Sequence, residues 1–337
     1  MSRYRVAVLG ANSLVGELLL ELLVERRFPA IEIRAFALGV TPGAQVSAGG
    51  EDWDLEELAA ADLAGFDLLL AAPRTGLEPA QLRALALGER LLIDTGASFR
   101  ADPQVPLAAA LVNDQALAER VPSGLVATPT PLAVALATVL KPLQAHCGLR
   151  RVQVSSYQAV SDLGREAVEE LAQQTRQLLT FQTMENRVFS RQIAFNCLPM
   201  TGAGDAQGQG DEEATVTGEL RRLLLQPELP LSLMAVRVPV FYGHGAALTV
   251  ETQRPFDLTE LRAVLAAAPG LRLVEEADSA SCPTPVTDAS GEDLVSLGRL
   301  RRDPSHPQAL QLWLVADNLR QGSALNAVRI AESLLLR

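Results

Sequence analysis

Along the first third of the chain, short runs of apolar residues alternate with stretches of helical period. Residues 5–9 form one apolar run, followed by a Gly-bounded turn and a helical stretch over about 14–25. Further runs at 31–38, 68–72 and 91–94 predict strands, and 79–88 reads as a helix with proline in its first turn. Continuous apolar strands separated by amphipathic helices predict a doubly wound, mostly parallel sheet, a Rossmann-type α/β domain. Beyond residue 150 the period changes. Residues 152–157 alternate like a strand of a partly exposed sheet, 166–180 is a helix, and 236–240, 247–251 and 310–315 are strands. Residues 202–210 and 283–291 read as loops, and 324–336 as a strongly apolar final helix. This change of pattern predicts a second domain with a larger, partly exposed sheet. The expected division is 1–126 plus 316–337 for the first domain and 127–315 for the second.

Composition narrows the partners. The chain has 337 residues, 48% hydrophobic and 20% charged, and a formal charge of −11. That charge argues against nucleic acid or an anionic membrane as partner. No apolar run reaches the ~18–20 residues that span a bilayer. Cys147, Cys197 and Cys282 are too widely spaced for a metal motif or a disulfide framework. The expected compartment is the cytoplasm, with no metal. Lys141 is the only lysine.

Gly10-Ala11-Asn12-Ser13-Leu14-Val15-Gly16 stands between the first strand and the first helix. Such a turn presents backbone N–H groups and a helix dipole to a pyrophosphate. A tight βα turn without ligand is the bland alternative. Three more blocks accompany it: Val154-Ser155-Ser156-Tyr157-Gln158-Ala159-Val160-Ser161, then Arg237-Val238-Pro239-Val240-Phe241-Tyr242-Gly243-His244-Gly245, then Gly298-Arg299-Leu300-Arg301-Arg302-Asp303 followed by Ala316-Asp317-Asn318-Leu319-Arg320-Gln321-Gly322. With all four in order, the chain resembles the aspartate-β-semialdehyde dehydrogenases almost end to end.

The resemblance implies an NADP- or NAD-binding site at Gly10, Asn12, Ser13, Leu14, Val15 and Asn318. It implies His244 as acid or base, Gln158 as the group that orients the substrate, and Arg237, Arg100 and Glu219 as substrate- and anion-binding residues. It also implies that the middle region is an α+β dimerisation and catalytic domain whose mixed sheet pairs two subunits, and that the last helix packs back on the nucleotide domain.

The chain departs from the family where the chemistry is concentrated. Pro131, in Ala127-Thr128-Pro129-Thr130-Pro131, stands where the family has its nucleophilic cysteine. Thiolate chemistry needs a group that is anionic near neutral pH and a good leaving group afterwards, which proline and the nearby hydroxyls of Thr128 and Thr130 do not supply. Cys147, expected beyond Pro142 in a helix-to-strand connection, and Cys197, expected as a small core residue, are poor substitutes. Thr215 replaces the family's substrate-site lysine in Glu212-Glu213-Ala214-Thr215. Residues 38–43 lack the arginine that grips a 2′-phosphate, and they hold no acid for a ribose hydroxyl. The loop Ala71-Ala72-Pro73-Arg74-Thr75-Gly76 is altered as well.

The expectation is a non-catalytic or altered-function homologue, a homodimer, in a retained pocket. Arg100 and Arg237 should draw small anions weakly into that pocket, unless Glu219 or other acids of the fold already engage them. The alternative is an active dehydrogenase of amino-acid biosynthesis.

Overall fold

A computed structural model describes residues 4–88, 90–113, 124–274 and 278–336. Two compact units emerge: Met1–Thr130 with Ser323–Arg337, and Pro131–Gly322. Their bounds lie four and seven residues beyond 126/127 and 315/316.

In the first unit a seven-stranded sheet has the order β3-β4-β2-β1-β5-β6-β7 among the described residues. Its centre is parallel: β1 (Tyr4–Leu9) lies between β2 (Ala30–Ala37) and β5 (Leu68–Ala71), with Val6 opposite Leu68 and Ile33. β6 (Leu91–Asp94) and β7 (Leu125–Ala127) continue it. These strands are buried nearly throughout, which is why they read as apolar runs. β3 (Gln45–Ala48) and β4 (Glu51–Glu57) form an edge hairpin around Gly49-Gly50, both at positive φ. Its polar, half-exposed strands gave no apolar signal. α1 (Leu14–Glu25) buries Leu19, Leu20, Leu22 and Leu23. α2 (Pro79–Leu85) is shorter than its pattern suggested.

The C-terminal helix Leu325–Leu335 belongs to this unit. Arg26 at the end of α1 donates to both carboxylate oxygens of Glu332 at 2.7 and 2.8 Å, and Tyr4 donates to the Leu335 carbonyl at 2.6 Å. Buried Asn326 accepts from Ala110 N–H and donates to the Ala108 carbonyl.

The second unit carries a six-stranded mixed sheet, order β11-β12-β13-β10-β8-β9 among the described residues. β8 (Leu149–Gln158) pairs antiparallel with β10 (His244–Thr252) and parallel with β9 (Leu231–Arg237). β10 pairs antiparallel with β13 (Ala309–Ala316), β13 with β12 (Val295–Arg302), and β12 parallel with β11 (Leu271–Leu273). α3 (Pro131–Cys147), α4 (Arg165–Leu179), α5 (Asp211–Leu223) and α6 (Leu258–Ala267) complete it.

Three expectations are corrected here. α3 runs through Pro142 to Cys147 without breaking, because burial on nearly all its faces outweighs the lost backbone hydrogen bond. Cys197 is exposed in a loop, its N–H bonded to its neighbour Asn196. The 283–291 segment contains a short helix, Pro285–Asp288. The strand expected at 236–240 also lies earlier, with Arg237 ending β9, and the one expected at 247–251 begins at His244.

Candidate active site

β1 is the strand at which the order of the first sheet reverses, so the loop at its carboxyl end is where α/β sheets bind ligands. Gly10 sits there with φ +77°, and the N–H groups of Gly10 and Ala11 donate to the Phe36 carbonyl of β2. Gly16 is required by close approach, since a Cβ there would stand 2.3 Å from the Gly10 carbonyl oxygen. Ser13 caps α1: its hydroxyl accepts from Gly16 N–H and donates to the Gly10 carbonyl. That hydroxyl therefore has no proton to offer a phosphate. The groups left for an anion are the first-turn N–H groups around Leu14 and Val15, which a helix cannot satisfy internally, with exposed Asn12 beside them.

The loop after β2 differs from expectation. Residues 38–43 hold no acid, yet Glu57 at the end of β4 reaches the end of β2, where its carboxylate accepts from Val40 N–H at 2.9 Å. Backbone donors at Ala59, Val40 and Gly39 hold its pKa below the usual range. Residue Glu57 gave no signal because the β2–β4 pairing brings it in from seventeen residues away. Arg100 donates to the Thr95 carbonyl at 2.9 Å and to the Thr128 carbonyl at 3.1 Å, tying the ends of β6 and β7.

In the second unit five elements bring polar groups together. Gln158 ends β8 fully buried, its Nε2 on Ser156 Oγ, its Oε1 with no hydrogen-bond partner among the described residues. Arg237, its side chain 4% exposed, donates from Nη1 to the Ala159 carbonyl at 2.9 Å, and from both Nη1 and Nη2 to Asp162 Oδ2 at 3.3 Å. Glu212, on the first turn of α5, lies 3.5 Å from Arg237 Nη2. Burial, then the neighbouring Asp162 charge, push the Glu212 pKa up, against Arg237, Thr201 and Gln158. Arg237 thus has two acidic neighbours, Asp162 and Glu212. Glu219, buried on α5, lies seven residues beyond Glu212, roughly 10 Å along the helix axis.

His244 is buried, and burial pushes its pKa down to about 4, Asp162 opposing and Arg237 reinforcing. Its Nδ1 accepts the Ala159 N–H at 3.1 Å. The neutral ring therefore carries its proton on Nε2, which faces Asp162 Oδ1 at 3.9 Å. In this arrangement His244 is a donor; accepting a proton at Nε2 requires the other tautomer. Asn318, expected at the cofactor, is engaged within the unit: it bonds Ser161 Oγ and accepts Gly243 N–H at 3.0 Å. It fixes the residues just before Asp162 and His244.

A family model for the "Semialdehyde dehydrogenase, NAD binding domain" matches residues 5–120, and one for the "Semialdehyde dehydrogenase, dimerisation domain" matches 140–321. The Vibrio cholerae protein named aspartate-semialdehyde dehydrogenase 2 is 36% identical over 333 residues, 99% of this chain and 98% of its own. The chain belongs to the aspartate-semialdehyde dehydrogenase family. Solved structures agree with that assignment. Vibrio cholerae aspartate-semialdehyde dehydrogenase II, complexed with ASA, superposes with a TM-score of 0.94 at 36% identity, covering 100% of this chain and 99% of that one. A probable aspartate-semialdehyde dehydrogenase of Pseudomonas aeruginosa superposes with a TM-score of 0.90 at 34% identity, covering 99% of each chain.

Against the aspartate-semialdehyde dehydrogenase pattern, Pro131 is the first residue of α3, where its missing N–H costs nothing. It packs on Gly322, whose Cβ, if present, would stand 2.7 Å from Pro131 Cβ. Cys147 ends the same helix, roughly 24 Å further along its axis. Its thiol bonds the Leu143 carbonyl, and burial pushes its pKa up. Thr215 is exposed on α5. Asp162, Glu212 and Glu57 are the polar residues that sequence reasoning missed. The paired acids Glu212-Glu213 opening a helix were the one available hint.

Proposed function

We propose that this chain is a dehydrogenase-family protein that binds a nicotinamide dinucleotide and does not carry out the family's covalent thiol step. The observation that carries this reading is Pro131 at the head of α3, with Cys147, Cys197 and Cys282 respectively buried at the far end of that helix, exposed in a loop and in a separate loop. A thioester route needs a thiolate that can attack and later leave; a hydroxyl is a far weaker acid and an ester a poorer acyl donor. Cofactor binding rests on the Gly10–Ser13 turn and on the NAD binding domain model. The leftover N–H groups and helix dipole at Leu14 and Val15 would hold a pyrophosphate there, and the nicotinamide would supply hydride transfer. With no arginine in residues 38–43 and the Glu57 carboxylate at the end of β2, a 2′-phosphate meets like charge, so NAD is favoured over NADP.

The partner is a second copy. Tyr157, Met234 and Phe241 are exposed apolar side chains, and the dimerisation domain model covers this unit. A homodimer follows, and a stable monomer at micromolar concentration in light scattering would remove it.

A second reading is an active aspartate-semialdehyde dehydrogenase of amino-acid biosynthesis. The relatives' names favour it, as do the placed Gln158, Arg237 and His244. One assay separates the two: phosphate-dependent oxidation of aspartate semialdehyde with NAD or NADP, beside the Vibrio cholerae protein. Turnover of ~1 per second puts the first reading aside.

A further inference from the structure

The guanidinium of Arg237 has the geometry that recognises an incoming carboxylate, yet a carboxylate is already in place. Asp162 Oδ2 accepts from both Nη1 and Nη2 at 3.3 Å, and Asp162 Oδ1 lies 3.9 Å from His244 Nε2. One carboxylate thus faces both the arginine and the imidazole N–H. The exposures order the groups from outside inward: the Asp162 side chain is 22% exposed, Arg237 4% and His244 3%. The acid is held from behind. It sits in a short 3₁₀ turn, Val160–Leu163, whose Ser161 hydroxyl is clamped by Asn318.

We infer that Asp162 is a built-in carboxylate that fills the Arg237 fork and excludes external carboxylates from this site. A free dicarboxylate must displace a tethered group that pays no association entropy, and it must approach past the charges of Asp162 and Glu212. The inference rests only on contacts within the second unit, so it stands or falls apart from cofactor binding and from the thiol question. Glu212 lies 3.5 Å from Arg237 Nη2, so Arg237 still has an acidic neighbour in a variant without Asp162.

Calorimetry with succinate as the probe tests this on the purified full chain. Wild type should show no binding at 10 mM probe, whereas Asp162→Ala should bind with at least a tenfold gain in affinity. Arg237→Gln added to Asp162→Ala should abolish that gain. If Asp162→Ala does not fold, Asp162→Ser, which also withdraws the carboxylate but keeps a short polar side chain in the turn, should show the same gain. Three results overturn the inference: wild type binding succinate through Arg237, no gain in either Asp162 variant, or a gain that survives Arg237→Gln.

Discussion

The β1–α1 turn and the polar cluster of the second unit are both places where the chain gathers polar groups, and they handle them in opposite ways. At the turn, Gly10 and Gly16 let the backbone close tightly, Ser13 satisfies itself against Gly10 and Gly16, and the first-turn N–H groups are left over. In the cluster, Arg237 is met by Asp162 and Glu212, His244 by Ala159 N–H, and Asn318 by Ser161 and Gly243. A helix start leaves donors over by geometry, whereas side chains can pair with one another. The turn thus leaves backbone donors over, whereas the cluster pairs its charged side chains with one another and leaves the Gln158 amide oxygen without a hydrogen-bond partner among the described residues.

The largest expected effect concerns the thiol. Wild type should oxidise aspartate semialdehyde at least ~10⁴-fold more slowly than the Vibrio cholerae relative, because a nucleophile and its partners act as a unit. Pro131→Cys alone should remain at least ~100-fold below that relative, since Asp162 still holds Arg237 and Thr215 still replaces a lysine. Normal turnover from the single change would show the cluster to be open. Next is acid stability. The folded-state pKa of His244 is about 4 against an ordinary 6.5. The unfolded chain therefore binds this proton first, and the contribution is present above pH 6.5 and lost as pH falls toward 4. Urea midpoints at pH 7 and pH 4.5 should show His244→Gln losing roughly 2 kcal/mol less than wild type over that interval. The raised Glu212 pKa works in the other direction, its contribution fading as pH rises, so it does not mimic this signature. An equal loss in both proteins would mean the imidazole is hydrated.

At the turn, Gly16→Ala sets a Cβ against the Gly10 carbonyl and should cost about 2–3 kcal/mol in chemical denaturation while also weakening dinucleotide binding. Stability lost with binding unchanged would separate the turn from any ligand. The smallest effect is at Glu57: Glu57→Gln should raise affinity for NADP relative to NAD a few-fold in calorimetry, and an unchanged ratio would place the 2′ position elsewhere.

What could be seen in advance follows interaction range. The parallel strands, the Gly10–Gly16 turn and the apolar final helix are local patterns, and all were legible. The edge hairpin at Gln45–Ala48 and Glu51–Glu57 was not, because its strands are too polar to show a buried face. Cys197 was misplaced because a lone small residue carries no period. Asp162 and Glu212 gave no signal because spacing along the chain does not say which acids stand beside Arg237.

Sequence by itself determined the two α/β architectures, the family and the absence of a cysteine at residue 131, since these depend on local periodicity and on residue identity. Tertiary structure decided which charges neutralise which. Asp162, Glu212, Arg237 and His244 come from four separate elements, with Arg237 and Asp162 75 residues apart in the chain. An ion pair acts over a few ångströms of space and carries no trace in sequence spacing.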